Sequence, residues 1–248
     1  MSFQFTVSPD FTPDHLSGWY IFNTWLQKAT GLPIHLEMFG DFHHQRDAIQ
    51  EDRIDLIYAN PYDAAMLVRE KGFEALARPA DKSDEALIAV SEESSYRTVE
   101  DLVPGARIAI TEDPDVHLMG MIMLEPANLD RSNTETITCD TYVLVAKELI
   151  KRNADAGIFL VEAYESMSSL IRKQLRILVS GQIQVVHHCL LVGPKLQPHR
   201  AQLLQTLTHM TDDPKGPGVL DALKFTHWEE VDHEEVEFMI DLMDTLAT

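Results

Sequence analysis

Hydrophobic and polar positions along the first third of the chain switch repeatedly between strand-like and helix-like spacing. Residues 3–7 alternate as a strand does, and residues 15–29 carry Trp, Tyr, Phe and Leu side chains on one helical face. Gly31 and Gly72 stand where helices are expected to end. The same spacing predicts strands at 33–39, 54–59 and 73–77 and helices at 42–51 and 61–71. This β-α-β-α-β-α series is typical of a parallel sheet with helices on both faces.

A second α/β series and a helical tail follow. The pattern predicts strands at 86–90, 107–110, 135–138, 156–160, 176–179 and 185–192, and helices at 98–102, 117–124, 142–152, 162–173, 199–210, 218–225 and 233–246. We therefore expect an α/β fold of two lobes, each a mixed sheet flanked by helices, with a ligand cleft between them. Lobe 1 is predicted to comprise 1–88 plus 188–248, and lobe 2 to be an insertion at 89–187. The strands 86–90 and 185–192 are predicted to cross between the lobes.

Composition narrows the possible partners. The chain has 248 residues, with 20 Lys and Arg against 40 Asp and Glu, which gives a net charge of −20. Such an acidic chain is unsuited to nucleic acid or anionic lipid, because both require a basic face. No apolar run approaches the ~20 residues of a membrane-spanning helix, so no membrane insertion is expected. Cys139 and Cys189 lie far apart in sequence and are predicted to be free thiols.

The compartment depends on the N-terminus. Residues 1–8 lack the basic and apolar parts of a secretory signal. We expect a periplasmic location if a leader has been removed from the chain, and a cytoplasmic location otherwise.

Short segments spread along almost the whole chain match, in order and spacing, those of a known family. They are LQKATGL at 26–32, Asp41-Phe42, Ile54-Asp55-Leu56, Tyr58 to Pro61, Val90 to Ser94, Val99 to Leu102, Gly105 to Arg107, Ala154 to Gly157, Asp212 to Pro214 and Val219-Leu220. No single segment is specific, and the inference rests on their order. The chain thereby resembles the type 2 periplasmic solute-binding proteins of the phosphate, phosphite and phosphonate group of ABC transporters.

The resemblance implies a function in ligand binding rather than catalysis. It implies the two-lobed fold, a small polar ligand held between the lobes, no cofactor, and an ABC permease or a membrane sensor as partner. The residues expected to bind the ligand are Phe42, His43, Asn60, Asp115, His117, Tyr142 and Glu162. Asn60 precedes Pro61 and is predicted to cap a helix as well.

One stretch departs from the family pattern. Where the family has a DP-x-S-T-S-G turn whose hydroxyls and amides hold the oxyanion, residues 113–120 keep Asp-Pro and the final glycine but lack the hydroxyls. Asp115 adds a carboxylate that would repel an oxyanion at this helix end. Tyr142 replaces a cleft histidine, and Glu162 corresponds to an acidic residue of the family. We therefore expect phosphate and simple phosphonates to bind weakly, and a neutral, zwitterionic or cationic ligand to be preferred.

Histidines add two further expectations. Nearby carboxylates are expected to raise the pKa of His43 and His117, so that ligand affinity varies close to neutral pH. The string His187-His188-Cys189 keeps a metal site and an enzymatic alternative open. That alternative is a cytosolic enzyme or sensor on the same fold, similar to menaquinone-pathway enzymes or thiamin-pyrimidine synthases, with His117 and Glu162 as an acid–base pair. No catalytic set or metal motif stands out, so neither is the leading interpretation.

Overall fold

The structure is a computed structural model that describes residues 2–10, 16–80 and 82–247. The described residues within 1–83 and 187–243 form one compact unit, called unit 1 below. Those within 84–186 and 244–248 form a second, unit 2. Each unit contains one mixed sheet, which confirms the predicted α/β class with two sheets flanked by helices. Across the described ranges, no helix combines the length and the apolar character needed to span a bilayer.

Unit 1 is built on a six-stranded sheet, sheet 1. Its strands are β1 (Phe3–Val7), β2 (Ile34–Leu36), β3 (Leu56–Ala59), β4 (Glu74–Pro79), β10 (Cys189–Val192) and β11 (Trp228–Glu230), in the order β11-β4-β10-β3-β1-β2. β1 is parallel to both β2 and β3, whereas β10 is antiparallel to β3 and β4. The parallel pairs follow from the helical crossovers that the sequence pattern predicts.

Both faces of sheet 1 are covered by helices. Leu56 and Tyr58 of β3 pack into one apolar cluster with Trp19 and Trp228, while Ile57 and Ala59 pack into another on the opposite face. This alternation follows from the two-residue period of a strand. A strand buried on both faces has to be apolar throughout, and β3 is.

Unit 2 is built on a five-stranded sheet, sheet 2. Its strands are β5 (Ala86–Ser91), β6 (Arg107–Ile110), β7 (Glu135–Thr138), β8 (Ala156–Leu160) and β9 (Leu175–Ser180), in the order β7-β6-β8-β5-β9. β6 is parallel to β7 and β8, and β5 is antiparallel to β8 and β9.

The helices of the described ranges follow the strands in the expected alternation. They are α1 (Leu16–Thr30), α2 (Phe42–Gln50), α3 (Pro61–Arg69), α4 (Pro114–Met123), α5 (Tyr142–Ile150), α6 (Val161–Ser166), α7 (Ser169–Arg172), α8 (Arg200–Thr208), α9 (Gly216–Leu223) and α10 (His233–Ala247), with short 3-10 turns at Val99–Asp101, Glu125–Ala127, Gln197–His199 and Met210–Asp212. The expected helix start at His15 lies outside the described residues.

The two segments predicted to cross between the lobes lie at or beside the changes of unit, which fall between residues 83 and 84 and between residues 186 and 187, and the crossing stays a prediction. β5 pairs only with strands of sheet 2, and β10 pairs only with strands of sheet 1. The expected long strand at 185–192 is shorter, because it begins at Cys189. The preceding residues are held by other bonds, among them a 2.7 Å hydrogen bond from the amide of Asp84 to the carbonyl of Val186.

Two predicted helices have different bounds. The helix expected at 117–124 begins at Pro114, because Asp113 caps it and proline suits the first helical position. The helix expected at 162–173 is divided into α6 and α7. Met167 follows α6 with extended backbone, and Ser168 caps α7 because its hydroxyl accepts the amide of Ile171.

Candidate functional site

Three of the expected site residues lie at one edge of sheet 1. β1, β2 and β3 are parallel neighbours, so their carboxyl ends share an edge. α2 follows β2 and α3 follows β3, which places Phe42, His43 and Asn60 there. In sheets of this type, ligands bind at the carboxyl ends of the strands.

Asn60 is a helix cap whose side chain is fully used. It is completely buried, and its Oδ1 accepts the amide of Asp63 at 2.7 Å. Its Nδ2 donates to Ser8 Oγ at 3.0 Å and to Asp63 Oδ2 at 3.1 Å. The predicted cap is therefore confirmed. Asn60 ties the end of β1 to the start of α3, and a ligand role for it stays a prediction.

Arg46 forms a cluster with two aromatic rings and a carboxylate at this edge. Its guanidinium carbon lies 5.2 Å from the ring centre of Phe42 and 5.1 Å from that of Tyr62. Its Nε and Nη2 donate to the two oxygens of Asp63 at 2.6 and 3.2 Å. The i, i+4 spacing of Phe42 and Arg46 on α2 was the available signal. The result is an aromatic and charged surface at the sheet edge, with the charge of Arg46 balanced by Asp63.

His43 projects into solvent. Its side chain is 84% exposed, and its Nδ1 lies 3.9 Å from Oδ1 of Asp47. Arg78, a second basic residue of unit 1, pairs with Glu229 at 2.7 Å and with Glu235 at 3.4 Å.

A buried histidine–carboxylate pair also lies in unit 1. His188 Nε2 is 2.9 Å from Asp10 Oδ2, and the ring of Tyr58 stacks on the imidazole at 5.4 Å. Ser8 Oγ donates to the same oxygen of Asp10 at 3.1 Å. Because the two partners are far apart in sequence, the chain pattern gives no signal of this pair.

The other four expected residues lie at one edge of sheet 2. β7, β6 and β8 are parallel neighbours, and α5, α4 and α6 follow them respectively. Asp115 and His117 lie in the first turns of α4, Tyr142 begins α5, and Glu162 lies in the first turn of α6. The fold thus places all four residues at the carboxyl ends of neighbouring parallel strands, where ligands bind in sheets of this type.

The beginning of α4 is acidic, and its cap already bonds one of the open amides. Asp113 Oδ1 accepts the amide of Val116 at 3.2 Å, and the carbonyl of Asp113 accepts the amide of His117 at 3.1 Å. Tyr142 donates its hydroxyl to Asp113 Oδ2 at 2.8 Å. Asp115, in the first turn, is 1% exposed. Two carboxylates therefore stand at the helix end where the family is expected to hold an oxyanion.

His117 differs from its expectation. Burial lowers its pKa below the ordinary value of 6.5, and the charge of Arg131 lowers it further. The predicted upward shift of this pKa is wrong, because desolvation outweighs any attraction from carboxylates. Glu162 is exposed at the start of α6.

The residues His187, His188 and Cys189 have different surroundings. His187 Nε2 is 3.4 Å from Glu235 Oε1, His188 pairs with Asp10, and Cys189 is fully buried within β10. The first two side chains thus meet carboxylates, and the third packs in the apolar core of unit 1. Their arrangement does not favour a shared metal.

Comparisons with known proteins agree on one class. Residues 5–236 match the family described as "ABC transporter, phosphonate, periplasmic substrate-binding protein". Among solved structures, PhnD1 from Prochlorococcus marinus, in complex with methylphosphonate, aligns with a TM-score of 0.83 at 12% identity, over 99% of this chain and 98% of its own. XAC2383 from Xanthomonas citri, bound to chloride ion, aligns with a TM-score of 0.78 at 15% identity, over 99% of this chain and 98% of its own. The periplasmic aliphatic sulphonate binding protein SsuA from Escherichia coli aligns with a TM-score of 0.70 at 14% identity, over 99% of this chain and 91% of its own. No curated protein sequence matches the chain.

These likenesses support the class without identifying the ligand. The structures are similar in fold over nearly the entire chain, including the two-lobed architecture of periplasmic binding proteins. Proteins of the matched family bind small molecules, deliver them to an ABC permease and are not enzymes. Because the match covers most of the chain, the protein belongs to the phosphonate family of periplasmic substrate-binding proteins of ABC transporters.

Proposed function

We propose that this protein binds a small cationic or zwitterionic compound for an ABC permease, and that simple phosphate and phosphonate are poor ligands. The observation that carries the proposal is the acidic beginning of α4, with Asp113 as its cap and Asp115 buried in its first turn. A helix N-terminus favours anions through its dipole and its open amides. Here the protein supplies its own carboxylates at the helix end, and Asp113 uses one of those open amides, that of Val116, for its cap.

The edge of sheet 1 supports the same choice of ligand. Arg46 is the basic side chain of its aromatic cluster, and Asp63 binds it through both carboxylate oxygens. The pair contributes little net positive charge, so it does not compensate for the carboxylates of α4. Phe42 and Tyr62 provide faces that suit an apolar or cationic group. We propose that units 1 and 2 act as the lobes at 1–88 plus 188–248 and at 89–187, and that both strand edges contribute to binding.

Calorimetric titration tests this proposal. Phosphate, phosphite and methylphosphonate should give no binding at micromolar concentrations, whereas choline and glycine betaine, as cationic and zwitterionic probes, should give measurable binding. Native mass spectrometry of the purified protein should identify a retained compound with a positive group. Micromolar binding of methylphosphonate by the wild type would contradict the proposal.

A substitution tests the role of Asp115 directly. Asp115→Ser removes the carboxylate and returns a hydroxyl to the turn, so methylphosphonate should bind at least about tenfold more tightly than to the wild type. Asp221→Ser is the matched control, because Asp221 is exposed on α9 and the substitution changes the net charge equally. Equal effects of the two substitutions would show that only the overall charge matters.

A further inference from the structure

A groove lies in unit 1 between α1 and α9, away from the strand edges described above. Its volume is about 640 Å³. We call it the α1–α9 groove, and its lining includes Tyr20, Ile21, Trp25, Lys28, Lys215 and Val219. This volume is within the range of roughly 300–1,000 Å³ that is typical of small-molecule sites.

The packing of the two helices explains the groove. At one end of the helix pair, a Cβ placed on Gly18 would lie 2.4 Å from the carbonyl oxygen of Ala222, so the backbones approach closely there. At the other end, the larger side chains of Trp25 and Val219 face the space between the helices. These two residues are 7% and 5% exposed and form the floor. Tyr20 and Ile21, which are 54% and 47% exposed, form an apolar rim.

The charges of the groove are opposite in sign to those of the chain. Lys28 and Lys215 line it and are exposed, whereas the chain as a whole carries a net charge of −20. Among the residues that the structure describes, neither amino group lies within 4.0 Å of a carboxylate oxygen. Two amino groups therefore lie beside an apolar floor on an acidic protein, which favours an anionic occupant.

The one carboxylate of the lining is already engaged. Asp213 Oδ1 accepts the amide of Lys215 at 2.8 Å. This bond holds the pKa of Asp213 below its ordinary value of 3.8. The carboxylate thus faces donors of its own unit, and the lining keeps an excess of basic groups.

We propose that the α1–α9 groove binds a small amphipathic acid, whose aromatic or branched apolar body packs on Trp25 and Val219 and whose acid group pairs with Lys28 and Lys215. The site is separate from the ligand-binding edges of the two sheets. A second, amphipathic ligand would thereby be recognised in the groove between α1 and α9.

Binding of naphthoate, naphthol and naphthylmethylamine, measured by calorimetry, tests the proposal because the three probes share one ring system and differ in charge. Naphthoate should bind saturably with a Kd below about 1 mM and at least about tenfold more tightly than naphthol or the amine. In the double variant Lys28→Gln with Lys215→Gln, the affinity for naphthoate should fall about tenfold, to that of naphthol. The double variant Lys147→Gln with Lys173→Gln changes the net charge equally at exposed positions of unit 2 and should leave the affinity unchanged.

Ile21→Glu provides an independent test of the apolar rim. Ile21 is exposed, so the substitution should leave the unfolding temperature unchanged while reducing naphthoate binding at least about tenfold. Equal affinity for the three probes, or equal weakening by both double variants, would overturn the proposal. A third result would also overturn it: the wild type binds no naphthoate but self-associates in sedimentation, and Ile21→Glu abolishes the self-association. The occupant of the groove would then be a second copy of the chain.

Discussion

The hydroxyl of Tyr142 donates a 2.8 Å hydrogen bond to Oδ2 of Asp113, while the other oxygen of the same carboxylate caps α4. One buried carboxylate therefore fixes the beginnings of two helices, α4 and α5, at the carboxyl edge of sheet 2. The hydrogen bond between Tyr142 and Asp113 therefore fixes the position of the first turn of α4, which carries Asp115. It also means that Tyr142, expected as a ligand contact, has a structural role.

Removal of that hydroxyl should destabilise unit 2. Tyr142→Phe leaves the ring in place but deprives a buried carboxylate of a donor, so we expect the free energy of unfolding to fall by about 1–3 kcal/mol. Chemical denaturation measures the change. Tyr20→Phe is the control, since Tyr20 is exposed and should tolerate the loss of its hydroxyl. Equal stability of both variants would show that the bond contributes nothing net.

The ion pair of Asp155 and Arg107 should make the free energy of unfolding decrease at acidic pH. Three donors of Arg107, its amide, Nε and Nη2, reach the carboxylate at 2.9 to 3.0 Å. The side-chain bonds from Arg107 hold the pKa of Asp155 below its ordinary value of 3.8. A depressed carboxyl pKa stabilises the folded state above the unfolded pKa, and this contribution is lost as the pH falls through the folded pKa.

Unfolding of Asp155→Asn across acidic pH checks this dependence. The variant should be less stable than the wild type at neutral pH, and the difference should shrink once the pH falls below about 4. Glu165→Gln, at an exposed position of α6, should match the wild type throughout. A difference for Asp155→Asn that persists unchanged at low pH would point to packing rather than charge.

His117 should remain neutral at physiological pH. Burial lowers its pKa from 6.5, so its imidazole should titrate in NMR with a midpoint below that value. Between the ordinary and the lowered pKa the unfolded chain binds more protons, so acid should destabilise the folded protein there. His117→Gln should remove this part of the acid dependence, and His43→Gln, at an exposed position, should not. A His117 midpoint above 6.5 would contradict the prediction.

Gly18 should not tolerate a methyl group. An added Cβ would lie 2.4 Å from the carbonyl oxygen of Ala222, which is backbone and cannot rotate away. Gly18→Ala should therefore lower the free energy of unfolding by about 1–3 kcal/mol, although alanine favours helix by about 1 kcal/mol. Gly218→Ala on α9 has open space around its Cβ and should be neutral or stabilising, as thermal unfolding can show. Equal effects of the two would mean that the helices separate at little cost.

Local signals predicted much of the fold. The apolar runs at β3, β5 and β8 and the Asn60-Pro61 cap all depend on residues close in sequence, which is why spacing and capping rules find them. Asp113-Pro114 is an equally local signal for the start of α4, although apolar spacing alone predicts that helix only from residue 117.

The misplaced features depend on distant partners. The segment before β10 is apolar enough for a strand, yet its pairing is decided by Asp84, about a hundred residues earlier. The pKa of His117 depends on burial, which a linear pattern of charges does not express. The expected site residues are brought to two strand edges, and their roles in binding a ligand stay predictions.

The order of strands in sheet 1 has a consequence for synthesis of the chain. β4 is flanked by β10 and β11, and both are made only after all five strands of sheet 2. While the ribosome adds the intervening residues, β4 has neither neighbour, whereas sheet 2 acquires its full set of strands. Unit 2 can therefore assemble on the nascent chain first, and the first part of unit 1 must wait, with both edges of β4 unpaired and open to mispairing, until the C-terminal segment emerges.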